Sequence, residues 1–121
     1  MDLAFLGPES VAAAEAARCA QDQGKFWEYH DTLFANQTGE NQGNFNRDNL
    51  LAYAQKLGLD ETQFTECLDS QKYRDYLAEL AQRARRLGVQ GTPSVFVNTR
   101  FVPGYVEFAD LEKIILEELA K

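Results

Sequence analysis

Two short apolar segments constrain this chain more than any other feature. They are Ser94-Val95-Phe96-Val97-Asn98 and Phe101-Val102-Pro103-Gly104-Tyr105, separated only by Thr99-Arg100. Their β-branched and aromatic residues predict two strands, about 94–98 and 101–105, joined by a tight turn at Asn98-Thr99. Val95, Phe96, Val97, Phe101 and Val102 make the pair almost continuously apolar, the pattern of strands covered on both faces. A lone two-stranded ribbon is only marginally stable in water. The hairpin therefore calls for more sheet beside it, yet nearly everything upstream reads as helix.

Ser10 to Gln23 is alanine-rich and strongly helix-prone, and Gly24 can end that helix in the left-handed conformation. Lys25 to Asn36 reads as a second helix, with Phe26, Trp27, Tyr29, Leu33 and Phe34 at mixed three- and four-residue spacings. Residues 36–46 form a polar, Gly/Asn-rich loop too short for a domain linker. Asn46 is placed to cap a helix over 47–57, which Gly58 closes. Asp60 with Gln63 resembles a capping box for a short helix through Leu68. The longest helix is predicted over 70–87, with Tyr73, Tyr76, Leu77, Leu80, Ala84 and Leu87 on one face and Gly88 at its end. Glu107 to Lys121 closes the chain as an amphipathic helix, with Phe108, Leu111, Ile114, Ile115 and Leu119 expected inward. At the other end, Leu3-Ala4-Phe5-Leu6, stopped by Gly7-Pro8, reads as the end of a strand.

A length of 121 residues suits one domain, able to bury roughly two-thirds of the surface its unfolded chain exposes. The formal charge of -7 argues against nucleic acid or an anionic membrane as partner. The basic run Arg83 to Arg86 reads as a solvated helix face. No segment approaches the ~18 consecutive apolar residues of a membrane span. The first residues lack the basic start and apolar length of a signal peptide. Neither a phosphate loop, a nucleophile elbow nor a dinucleotide fingerprint occurs, and no cofactor is expected.

The linked motifs carry a resemblance. They are the Ala-Ala-Ala-Glu-Ala-Ala-Arg-Cys-Ala helix at 12–20, Gln23-Gly24-Lys25-Phe26-Trp27-Glu28-Tyr29-His30-Asp31-Thr32-Leu33-Phe34, the Phe64-x-x-Cys67-Leu68-Asp69-Ser70 step and Gly88-Val89-Gln90-Gly91-Thr92-Pro93. In this order, through nearly the whole chain, they resemble the DsbA-like thiol–disulfide oxidoreductases. That resemblance implies an α/β, thioredoxin-like fold of DsbA type in truncated form, a single domain over 1–121. A helical insertion over about 8–87 would precede a closing β-hairpin and C-terminal helix over about 88–121. It implies a cis bond before Pro93 and binding of an extended peptide or thiol protein at Thr92 and Pro93 by strand-like pairing. It also implies the cell envelope as compartment. The family's first strand and Cys-x-x-Cys element have no counterpart here, so no catalytic residue carries over. Disulfide exchange needs an activated thiolate, and the chain as given is expected to lack dithiol oxidoreductase activity. Alternatives are a fragment of an active oxidoreductase whose start lies further upstream, and a non-catalytic peptide-binding or assembly module. Loss of the first strand would bare an apolar edge, so a homodimer is expected to cover it.

The only cysteines are Cys19 and Cys67. Three readings stay open: separate buried thiols, a structural disulfide tying the helical insertion, or an unorthodox redox pair. Some members of the resembling family carry a second disulfide at comparable positions. His30, the only histidine, has no second His or Cys nearby, and zinc needs three or four protein ligands. It reads as the edge of an aromatic helix, bonded to Asp31 or the backbone, with no metal site. Trp27 and Tyr29 read as packing residues.

Overall fold

The computed structural model describes residues 2–121. The order of elements is α1 (Pro8–Gln21), α2 (Phe26–Ala35), α3 (Arg47–Lys56), α4 (Glu61–Asp69), α5 (Arg74–Arg86), β1 (Ser94–Val97), β2 (Arg100–Pro103) and α6 (Phe108–Leu119). They fall into two compact units, divided between Gln82 and Arg83.

The helical unit is organised around α1, which packs against α2, α3 and α4. Alanines at 13, 16, 17 and 20 leave that helix without bulk on its inner side, and all four are buried. Tyr29, Leu50 and Phe64 fill the space they leave, each no more than 1% exposed. Tyr29 and Phe64 rings meet at 5.5 Å between centroids. The Tyr29 hydroxyl solves its own burial by donating to the Leu50 carbonyl at 2.8 Å, as a buried polar group must. Burial pushes the Tyr29 phenol far above its ordinary pKa, with the neighbouring Tyr53 adding to the shift.

Helix ends in this unit are set by local chemistry. Asn46 accepts from the Asn49 N–H at 2.9 Å and starts α3. Asp60 accepts from the Gln63 N–H at 2.8 Å and starts α4. The reciprocal half of that cap comes from elsewhere: Gln23 accepts the Asp60 N–H at 2.7 Å and donates to its carbonyl at 3.1 Å. A side chain 37 residues away thus replaces the expected Gln63. Glu15, only 4% exposed, takes a two-pronged contact from Arg74 at 2.9 Å on each oxygen.

In the second unit β1 and β2 pair antiparallel, Ser94 opposite Pro103 and Val97 opposite Arg100. The two-residue turn holds Asn98 at φ 55°, a left-handed conformation that asparagine tolerates better than most residues. Phe96 and Phe101 stack across the ribbon at 4.8 Å, and Val102 is buried. α6 packs on β1. Two side chains tie α6 to the hairpin: Asn98 donates to Glu118 at 3.3 Å, and Arg100 pairs with Glu117 at 2.6 Å.

Five expectations are corrected. Leu3–Leu6 forms no strand among the described residues, for it has no neighbouring strand to pair with; Phe5 N–H turns back to the Leu3 carbonyl. The helix expected from 70 begins at Arg74, because Gln71 adopts φ 53° and turns the chain first. Of its predicted apolar face, Leu77 and Ala84 are buried while Tyr76 and Leu87 are exposed. In α6, Phe108 and Leu119 stand about three-quarters exposed (75% and 77%) and Ile115 is also exposed, since one narrow ribbon cannot cover a whole helix stripe. Trp27, expected to pack, is 68% exposed.

Candidate functional site

The residues singled out by sequence sort into the two units. Cys19 and Cys67 belong to the helical unit, Thr92 and Pro93 to the hairpin unit.

The loop ahead of β1 is built from its own short contacts. α5 ends where Gly88 takes φ 84° and Val89 N–H returns to the Ala84 carbonyl at 3.0 Å, a terminator that favours glycine. Beyond it, the Ser94 hydroxyl donates to the Gly91 carbonyl at 2.6 Å. The Pro93 carbonyl accepts the Gly104 N–H at 2.9 Å, which extends the pairing just past the ribbon. Between these two fixed points lies the Thr92–Pro93 bond, in the cis form. Both residues are exposed. Among the described residues the N–H and carbonyl of Thr92 meet no backbone partner. A backbone donor and acceptor held in the open beside a strand can pair with an extended chain. They perform no bond-making chemistry themselves.

The sulfurs are arranged otherwise. Cys19 on α1 and Cys67 on α4 are joined in a disulfide, Cα to Cα 5.8 Å. They are 1% and 7% exposed, within the same core as Tyr29 and Phe64. Reactive cysteines occupy partly exposed, electropositive surroundings; these do not.

Beside the α4 end, Asp22 gathers Lys72 at 2.6 Å and the Tyr73 hydroxyl. Burial opposes ionisation of Asp22, but the hydrogen bonds from Lys72 and Tyr73 outweigh it and hold the carboxyl below its usual range. Neither this cluster nor the Glu15–Arg74 pair was legible in the sequence, since their partners lie 50 to 59 positions apart. His30 meets Asp31 at 3.0 Å and the Phe34 ring at 4.7 Å between centroids. No cluster of three or more metal-ligating side chains occurs among the described residues. No helix there is long and apolar enough to cross a membrane.

The family described as thioredoxin matches residues 1–117. The Na(+)/H(+) antiporter NhaA 1 of Salinispora arenicola is 41% identical over 100 residues, which are 83% of this chain and 15% of the antiporter. The probable disulfide bond formation protein D of Bacillus cereus is 34% identical over 121 residues, covering 97% of this chain and 55% of that protein. A solved structure, a thioredoxin-like oxidoreductase from Silicibacter pomeroyi, superposes with a TM-score of 0.79 at 30% identity, covering 99% of this chain and 66% of that one. The chain thus spans about half the length of the disulfide bond formation protein and a small part of the antiporter.

Proposed function

Because this chain belongs to the thioredoxin family, in its DsbA-like branch of disulfide oxidoreductases, we propose that it is the peptide-holding part of such a scaffold and performs no dithiol exchange by itself. One observation carries the reading. The only two cysteines are tied to each other and buried in the helical core, while the loop suited to an extended chain has no thiol in its own unit. Exchange begins with attack by a thiolate, and a buried disulfide offers neither a thiolate nor an approach to one.

The open N–H and carbonyl of Thr92 then serve as a short edge for strand-like pairing with an unfolded or extended polypeptide. Affinity would come from main-chain hydrogen bonds, so selectivity for the bound sequence is low. The test has two arms. Insulin reduction and thiol-peptide oxidation should stay at background with the purified chain; turnover that survives repeated purification overturns the first claim. An extended peptide titrated into labelled protein should move the Thr92 amide resonance ahead of others. Absence of any shift at millimolar peptide overturns the second.

A second reading rests on the coverage of the relatives. The chain spans 55% of the disulfide bond formation protein and 66% of the solved oxidoreductase. In this reading the 121 residues form part of an active oxidoreductase whose Cys-x-x-Cys lies upstream. Genomic sequence ahead of the codon for residue 1 decides it, because a Cys-x-x-Cys in frame there favours this reading over the first. A homodimer that covers the ribbon edge and the exposed side of α6 belongs to the first reading, and light scattering at micromolar concentration checks it. A stable monomer argues against that pairing.

A further inference from the structure

The ribbon's register settles where its backbone groups point. Ser94 lies opposite Pro103, Val95 opposite Val102, Phe96 opposite Phe101 and Val97 opposite Arg100. The Gly104 N–H reaches the Pro93 carbonyl at 2.9 Å, so Pro93 and Gly104 face each other across the ribbon. In an antiparallel pair, residues bonded to the neighbouring strand alternate with residues whose N–H and carbonyl point away. Val95 and Val97 therefore turn their backbone groups toward β2, and Ser94 and Phe96 turn theirs outward. Among the described residues these outward groups meet no backbone partner beyond the ribbon. With Thr92 they form a row of open donors and acceptors at every second residue. The opposite edge is closed. On β2 the outward positions are Phe101 and Pro103, and proline has no N–H to give. A proline there blunts an edge against further pairing, which leaves β1 as the edge that accepts a strand.

The two faces of the ribbon differ as well. Side chains alternate along a strand, and residues opposite each other share a face. Val95, Val97 and Val102 are on one face, where Val102 is buried. Phe96 and Phe101 are on the other, with their rings stacked at 4.8 Å and Phe96 41% exposed. A residue that pairs with Phe96 from outside sets its side chain on that same face, beside the Phe96 ring.

Resting on the peptide-holding reading above, we propose that β1 takes an extended polypeptide in antiparallel pairing at Ser94 and Phe96 and selects an aromatic side chain at the residue opposite Phe96. That ring lengthens the Phe101–Phe96 stack by one member. Main-chain bonds leave the rest of the bound sequence free; this one position is read. A second copy of β1 fits the edge less well. Registers that use both Ser94 and Phe96 set the Phe96 ring against Ser94 or Thr92 of the second copy. The register that sets Phe96 against Phe96 places Ser94 against Asn98, whose φ of 55° takes it out of the strand. An aromatic peptide therefore displaces a self-paired dimer.

The probe is acetyl-Lys-Thr-Val-Tyr-Val-Thr-Lys-amide, titrated into the labelled 121-residue chain; its twin carries Ala in place of Tyr. Amide exchange should slow at Ser94 and Phe96 and stay as it was at Phe101. The tyrosine peptide should bind about fivefold more tightly than its twin, the worth of one aromatic pair. Phe96→Leu keeps an apolar residue in the strand and should bring the two peptides to equal affinity. N-methylation of the peptide gives a second route that leaves the protein intact. A methyl on the Tyr nitrogen should abolish binding, whereas one on the nitrogen of the following Val, which points away from β1, should not. Equal affinity of the two peptides, with the Thr92 resonance still shifting, overturns the aromatic selection and leaves the peptide-holding reading standing. No shift at Thr92 with either peptide strikes both. Slowed exchange at Phe101 in place of Ser94 and Phe96 puts the peptide on β2 and overturns the choice of edge. A dimer that persists in light scattering at millimolar peptide gives the edge to the second copy and likewise overturns the proposal.

Discussion

The helical unit and the hairpin unit solve the same problem unequally. Up to Gln82 the chain encloses Tyr29, Leu50 and Phe64 almost completely and fixes its helix ends with Asn46, Asp60 and the distant Gln23. From Arg83 onward only Ala84 and Val102 among the apolar residues are buried outright; Val95, Phe101, Leu111 and Ile114 are partly covered, and Phe96, Tyr105, Phe108, Leu116 and Leu119 face outward. One region has a closed core, though Trp27 and Phe34 stay exposed on its surface; the other has no comparable core and leaves much of its ribbon and helix stripe in solvent. A sequence of uniformly apolar strands is therefore no guarantee of a core, because burial depends on how many elements share the face.

The contrast is tested most severely by equivalent truncations. Phe64→Ala should cost about 4 kcal/mol, the range for an enclosed phenylalanine, whereas Phe108→Ala should change stability by no more than about 0.5 kcal/mol. Urea denaturation of both variants measures this, and similar losses would erase the distinction between the units. Next in size is the cross-link. Replacing Cys19 and Cys67 together by alanine should remove about 3 kcal/mol, mostly by freeing a loop of 48 residues' separation in the unfolded chain. The loss should show in amide exchange of α1 and α4 and leave β1 and β2 protection as it was.

A smaller effect is expected at the α3 cap. Asn46→Ala should cost about 1 kcal/mol, read as a lowered melting midpoint; Asn46→Asp should restore most of it. The smallest is a matter of pH. Asp22 is held below its usual pKa in the fold, so it contributes stability above the unfolded value of roughly 3.9 and loses it as pH falls through the folded value. Acid titration of Asp22→Asn should accordingly show a shallower decline below about pH 4 than the parent chain. An identical decline would mean the Lys72 and Tyr73 contacts do not persist in solution.

What sequence made legible was local. The helix starts at Asn46 and Asp60, the end of α1 before Gly24, and the two-residue turn at Asn98-Thr99 all follow from residues within one turn of each other, and each is where the spacing placed it. The family was legible because several motifs occur in one order. Among the candidate site residues, Thr92 and Pro93 could be named from the step ahead of the strand. Their open backbone could not, since hydrogen bonds that are missing leave no mark on composition. Exposure of Phe108 and Leu119 was missed for the opposite reason. Periodicity identifies a stripe on a helix but says nothing about how much of that stripe its partners reach.

The placement of the cystine fixes how the molecule can be dismantled. Reducing agent in the bath cannot touch sulfurs enclosed by α1 and α4 until those helices part, so its consumption runs at the pace of their breathing. A simple thiol-release assay over hours thus becomes a stopwatch for opening events too rare for spectroscopy. It would time the helical unit while ignoring the hairpin unit.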